Sequence, residues 1–386
     1  MSKHSSLICY IGNGVVKAAI VADDKKTLPT ILTSRVREIP YQEFASREQL
    51  EAKITAEFGE LLKQVKLEDL ASAAAKGHSL KDACIILSSP WYVSETKVVK
   101  VEHEKAFEVT DKLIKDSIRA AGSSFLDNEN GGIVILEQNI LRCLLNGYPT
   151  QNPMKKTVNH LELSVFLSFS KAENIQTFKR MILSLFHISD TSVHSQSLAA
   201  FSAVRDAWKD LKNFVIADVT SVLTELVIVR GDTMAEAASF PNGKQFIIRE
   251  LGKRLSTNPE VSQSLLRLYK ENTLDEKLKQ KFEGALDGIR QQWLQPFTKA
   301  LGEMTSGASL PSRFILFAPR DATWLFSDFI KSEEYQQFTF SEGKFEVIQA
   351  NADDFNALYN IAPGVTRDSS LSIAAIFYHK EHPSAL

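Results

Sequence analysis

Residues 214–232, FVIADVTSVLTELVIVRGD, place two apolar, β-rich runs on either side of a Val-Thr-Ser-Val bend. Residues 7–23, LICYIGNGVVKAAIVAD, follow the same plan around Gly12-Asn13-Gly14. Short β-rich runs around a tight bend form hairpins. Each is followed by a further extended piece, at 28–38 and at 234–241, and then by a helical pattern, at 42–65 and 244–255. One strand–turn–strand–strand–helix unit used twice, about 205 residues apart, predicts an internally duplicated α/β protein of two lobes.

The remaining chain fits around these two units. Ala83–Ser88 (ACIILS) is a strand stopped by Ser89-Pro90, and 96–102 is extended. Thr110 caps a helix whose apolar face carries Leu113, Ile114 and Ile118. A loop over 127–132 leads to strand-like runs at 133–137 and 140–145, the Asn146-Gly147 turn and a strand at 158–169. This block predicts a small α+β insertion of strand–helix–strand–strand order. Helices are expected at 171–187, 195–210 and through 258–306, with strands at 313–318 and 344–349 and an apolar helix over 371–379. The amphipathic stretch 265–299 does not hold a heptad, so it predicts packed helices and not a coiled coil.

Composition narrows the class. Lys+Arg 45 against Asp+Glu 47 leaves a net charge of −2, so no nucleic-acid partner and no general attraction to anionic lipid is expected. No stretch approaches the roughly 20 apolar residues of a membrane span. Three cysteines without a CxxC pair (Cys9, Cys84 and Cys143) sit in apolar runs and read as buried free thiols. The N-terminus shows no signal-peptide pattern, and the expectation is a cytoplasmic protein. His379 and His382 lie in a polar tail and make no convincing metal pair.

The sequence resembles the actin-like superfamily, and within it the bacterial branch containing the cell-division protein FtsA and the type IV pilus assembly protein PilM. The first phosphate hairpin of that family, D-x-G-x-x-x-x-K, corresponds to Tyr10-Ile11-Gly12-Asn13-Gly14-Val15-Val16-Lys17. The second, D-x-G-G-G-T-T-D, corresponds to Asp218-Val219-Thr220-Ser221-Val222-Leu223-Thr224-Glu225. Gln196-Ser197-Leu198-Ala199-Ala200-Phe201 is similar to the family's connecting helix, and 137–154 before 161–170 looks like the inserted domain peculiar to the FtsA and PilM branch. The resemblance implies a duplicated actin-like (ribonuclease H-like) two-lobe fold. Its expected division is 1–95 plus 171–212 for the first lobe, 96–170 for the inserted α+β domain, and 213–386 for the second lobe, with a helical subdomain at about 246–310.

The same resemblance places a nucleotide site on Gly12, Asn13, Gly14, Lys17, Asp218, Thr220, Ser221, Thr224, Gly243 and Lys244, with Gln196 and Asp218 the catalytic pair of an active member. Asp218 would then be the metal ligand. A phosphate hairpin needs backbone amides aimed at the anion, small residues for close approach, and a carboxylate for Mg²⁺. Here the first carboxylate position is Tyr10, whose ordinary pKa of about 10 prevents Asp-like ligation. Thr220, Ser221 and Val222 replace glycines, leaving only the hydroxyls of Thr220, Ser221 and Thr224 as substitute donors. Phe317-Ala318-Pro319-Arg320-Asp321 crowds the place of the family's adenosine glycines. Taken alone, Gly12-Asn13-Gly14 is a hairpin turn, Lys17 a solvent-facing strand lysine and Gln196 a helix-interface amide. Asp218, inside FVIADV, is the residue most in need of a partner.

These features predict no resident cofactor and little or no ATPase activity, with ATP and Mg²⁺ binding the alternative. The expected role is a scaffold or adaptor of a membrane-associated assembly, of pilus or secretion type. Its implied partner is the cytosolic tail of an inner-membrane protein, holding the chain at the inner face of the membrane. The C-terminal IFYHKEHPSAL lacks the basic amphipathic helix of FtsA-like members, which favours the PilM type. Phe107, Lys112, Leu113, Lys115 and Tyr148, beside a groove between insertion and first lobe, are the expected partner-binding residues. The competing reading is an active, self-associating ATPase that forms filaments, as in cell division. A sugar kinase ranks below both.

Overall fold

The computed structural model describes residues 3–24, 26–39, 47–75, 77–126, 132–231, 233–304, 309–332 and 344–381. Most of the expected 127–132 loop, the start of the 42–65 helical pattern, 305–308 of the helical subdomain and His382 in the tail lie outside them. The chain begins with β1 (Lys3–Ile11), β2 (Val15–Ala22) and β3 (Thr30–Glu38). Helix α1 (Arg47–Gln64) continues through a π-helical turn at Val65–Asp69 into α2 (Leu70–Ala75), and β4 spans His78–Leu87. The inserted block is β5 (Val93–Glu108), α3 (Asp111–Leu126), β6 (Ile133–Leu145), β7 (Tyr148–Pro149) and β8 (Thr157–Lys171). Then come α4 (Ala172–Phe186), β9 (Thr191–Ser195) and α5 (Gln196–Ala207).

The second unit repeats the first: β10 (Asn213–Val219), β11 (Thr224–Arg230) and β12 (Thr233–Phe240) precede α6 (Lys244–Leu255), α7 (Pro259–Lys270) and α8 (Glu276–Glu303). It continues as β13 (Arg313–Phe317), α9 (Thr323–Lys331) and β14 (Glu346–Gln349), and the chain closes with β15 (Asn360–Ile361) and α10 (Ser369–Glu381). The duplication is one of topology. Strands β3-β2-β1-β4-β9 and β12-β11-β10-β13-β14 have the same order, each with two antiparallel hairpin pairings followed by two parallel ones. Parallel pairing needs a crossover, and the helices supply it.

Between the two sheets lies one core, shared by Ile8, Ile86, Ile216 and Ile315 from the strands and by α5 and α10. Every residue from Leu371 to Tyr378 is buried, as a helix apolar on all sides requires. This corrects the boundary expected at 213–386. Strand β15 pairs parallel with β3, and α10 packs against β1, β2 and β3, so the end of the chain returns to the first sheet. Tyr378 donates to Asp82 (2.7 Å), His379 Nδ1 lies 2.9 Å from Asp23, and Lys380 pairs with Asp206 (2.8 Å). The helix was legible from its apolar run; its docking partner, some 370 residues away in sequence, was not.

In the inserted block, order β5-β8-β6-β7, the two runs expected at 133–137 and 140–145 are one strand, β6. Asn146 (φ 50°) and Gly147 (φ 84°) make its turn in the left-handed region that Asn and Gly tolerate. No helix among the described residues is long and apolar enough to cross a membrane.

Candidate functional site

The two hairpin bends face each other across a cleft of about 560 Å³ between the lobes. Gly12, Asn13, Gly14, Lys17, Gln196, Asp218, Thr220, Ser221 and Lys244 all line it, brought together from both units. Thr224 and Gly243 do not. Thr224 is fully buried and its hydroxyl donates to the Asn242 carbonyl (2.9 Å). Gly243 is pressed against the second bend, where a Cβ would sit 2.5 Å from the Thr220 carbonyl and 2.7 Å from the Leu223 amide nitrogen.

The bends touch through Asn13. Its Oδ1 accepts from the backbone amides of Ser221 (3.0 Å) and Val222 (3.3 Å), and its Nδ2 donates to Thr220 Oγ1 and to the Ser89 carbonyl (2.9 Å each). Thr220 Oγ1 also accepts from the Leu223 amide (3.2 Å) and donates to the Leu223 carbonyl (2.8 Å). The hydroxyl expected to stand in for a glycine amide is therefore already bonded within the protein. None of Gly12, Gly14 or 220–223 has positive φ, so the glycines serve proximity and not turn geometry. A Cβ on Gly14 would lie 2.4 Å from Ser221 Cβ. Gly14→Ala should accordingly cost about 2 kcal/mol in urea denaturation, and adding Ser221→Gly should recover most of it. Equal loss in the single and double variants would mean the bends do not meet.

Lys17 does not face solvent. Its ammonium donates to both carboxylate oxygens of Asp368 (2.8 and 2.9 Å) and to Ser370 Oγ (3.1 Å), and it lies 5.2 Å from the centre of the Tyr10 ring. Asp368 in turn accepts from the Leu371 amide (3.1 Å), capping α10. On the opposite wall Lys244 pairs with Asp321 (2.5 Å), and Arg320 donates to the Arg367 carbonyl (3.1 Å). Both lysines of the expected site thus hold carboxylates of the same chain. Sequence reasoning missed Asp368. Its place before an apolar helix marks a cap, but nothing in the sequence ties it to Lys17.

Asp218 and Gln196 sit deeper. Neither Asp218 Oδ2 nor Gln196 Oε1 has a hydrogen-bond partner among the described residues. Burial pushes the Asp218 carboxyl up to about 7, with Lys17 drawing it down only in part. Glu225, beside it on β11, is raised to about 8 by burial, although Tyr92 donates to it (2.7 Å) and opposes the shift. Burial likewise raises the Tyr10 phenol, so it stays neutral.

The expected partner-binding residues are not gathered beside the first lobe. Val93 pairs with Phe169 near the lobe, whereas Phe107 pairs with Val158, 11 residues further along β8, or about 35 Å at 3.3 Å per residue. Tyr148, an exposed tip residue, is on the opposite edge of the sheet from Phe107. Leu113 packs into the block's own core and Lys115 pairs with Asp111 (2.6 Å), while Lys112 is exposed. The five occupy the end of the inserted sheet remote from the lobe. The exposed apolar side chains at the near end of β5 are Val93 and Val98.

Two sheets of identical order around an interlobe cleft, with helices between and outside them, define the actin-like two-lobe fold. No protein-family model matches the chain, and no curated protein matches it by sequence. Among solved structures it is similar to a chain of the PilM-PilN type IV pilus biogenesis complex, with TM-score 0.63 and 12% identity over 97% of this chain and 98% of that one. The fold is therefore PilM-like from end to end. It also aligns with the ethanolamine utilization protein EutJ from Carboxydothermus hydrogenoformans (TM-score 0.44, 8% identity, 97% and 89% covered). A further alignment is to a Bacteroides thetaiotaomicron protein with actin-like ATPase fold (TM-score 0.35, 13% identity, 67% and 79% covered).

Proposed function

We propose that this chain is an actin-like scaffold of a type IV pilus or related membrane-associated assembly, working without nucleotide turnover. The observation that carries the second half is that the donors expected to hold phosphate are bonded to side chains of the same protein. The Asn13 carboxamide oxygen takes the two amides of the second bend, and the Asp368 carboxylate takes Lys17. Both are oxygen acceptors where a phosphate would present oxygens. With Tyr10 at the first carboxylate position and Asp218 half-protonated near pH 7, the residues present do not fit Mg²⁺ and a triphosphate. In this reading the likeness to a chain of the PilM-PilN complex supports the first half. The partner is the cytosolic tail of an inner-membrane protein, which keeps the chain peripheral to that membrane.

One experiment separates this from an ATP-driven filament. Millimolar Mg·ATP bound at micromolar affinity would add about 4 kcal/mol, several degrees of melting temperature. The scaffold should show no such shift and should bind inner-membrane vesicles from its host equally with and without Mg·ATP. A Mg·ATP shift that Lys17→Ala and Asp218→Ala both abolish would defeat it.

A further inference from the structure

The first turn of α5 is where the inserted sheet and both lobes are bonded to one element. Glu137, on β6, is 5% exposed, with His194 Nδ1 3.4 Å from its Oε1. Its Oε1 accepts the backbone amide of Ser195 (2.9 Å), and its Oε2 accepts the hydroxyls of Ser195 (2.6 Å) and of Ser168 on β8. Ser195 is the N-cap of α5 but makes no capping bond with its own side chain. A carboxylate from the inserted sheet stands there instead, at the positive end of the helix.

Two residues on, the Ser197 amide donates to the Tyr92 hydroxyl (3.1 Å), and that hydroxyl donates to Glu225 on β11 of the second lobe (2.7 Å). Apolar packing follows the same route: Phe166 of β8 shares a core with Leu198, Ala199 and Phe201 of α5, and Leu141 of β6 packs on it. The first residue of α5, Gln196, lines the cleft, and α5 ends six residues before β10 begins.

From this geometry we infer that the inserted sheet is a lever on the interlobe helix: tilting the sheet moves the start of α5 and so sets the closure of the cleft. A buried, hydrogen-bonded carboxyl group at the joint resists separation, because either half left unpaired in the interior is costly. Sheet and helix therefore move together and strain passes on to Tyr92–Glu225, the bond that ties the helix start to the second lobe. A partner seated anywhere on the inserted sheet acquires a mechanical link to the cleft. The link needs neither nucleotide nor the pilus partner.

The protein carries its own reporters of closure. The Ser221 and Val222 amides of the second lobe are bonded to Asn13 of the first, so their hydrogen exchange slows only while the lobes are shut. Exchange should be read by NMR or mass spectrometry on the full chain. Glu137→Ala and Tyr92→Phe should each accelerate exchange at 221–222 by about tenfold, the loss of one buried hydrogen bond, while amides within α8 keep their wild-type rates. The double variant should accelerate little beyond either single one, since both cut one path. Glu137→Gln, which keeps an acceptor for the Ser195 amide, gives the same local pattern at smaller amplitude and serves if the alanine variant fails to fold. Unchanged exchange at 221–222 in a folded Glu137 variant overturns the inference. So does a uniform rise across the whole second lobe, which would make Glu137 merely a stabilising residue.

Discussion

Replacing Gly243 by alanine should lower the stability of the protein by about 3 kcal/mol, at the upper end of what overpacking costs. A Cβ there meets only backbone: the Thr220 carbonyl at 2.5 Å, the Leu223 nitrogen and the Ser221 carbonyl carbon at 2.7 Å. A crowded side chain can turn away, but these atoms are fixed by the second bend and by the amides of Lys244 and Gln245, which donate to Thr220 and Ser221. Gly284 is the internal control. It lies inside α8 with nothing within 4 Å of an added Cβ, so Gly284→Ala should raise stability by about 1 kcal/mol through helix propensity. Urea unfolding monitored by circular dichroism measures both. Opposite signs are expected, and a neutral Gly243→Ala would mean the bend and the start of α6 are not in contact.

Stability should fall as pH rises from about 4 to 8, the reverse of the usual behaviour of paired carboxylates. The native values of Asp218 and Glu225, about 7 and about 8, lie above the ordinary 3.8 and 4.5 of these side chains. Between the two sets of values the native state holds protons that the unfolded chain has released. The contribution is therefore complete below pH 4 and is lost as pH climbs through the native values. The shifts correspond to about 4 kcal/mol for Asp218 and about 5 kcal/mol for Glu225, and because each acid disfavours ionisation of the other the pair gives less than their sum. Asp218→Asn and Glu225→Gln should flatten the profile and leave the protein more stable than wild type at pH 8. Melting temperatures across pH 5–8 decide the matter: a wild-type profile already flat there, or a variant less stable at pH 8, contradicts it.

In this protein the Ser221 and Val222 amides, Lys17 and Lys244 are each bonded to groups of the same chain. Gly14 and Gly243 each lie in close contact with the second bend.

The two hairpins and their duplication were legible in the sequence because they rest on local rules. Apolar runs of strand length, a bend between them and a helical period afterwards depend on neighbours a few residues apart. The inserted block was legible for the same reason, down to the Asn146-Gly147 turn. Tyr10 and 220–222 were singled out at the bends by residue type alone. What occupies those positions was decided by tertiary structure. Asn13 meets Ser221 over 208 residues of sequence, Lys17 meets Asp368 over 351, and Glu137 meets Ser195 over 58. Such pairings leave no periodic trace, because each is one side chain meeting one group where two separately formed elements happen to pack. Local chemistry determined which elements form; only their packing decided which groups of the two lobes bond to one another.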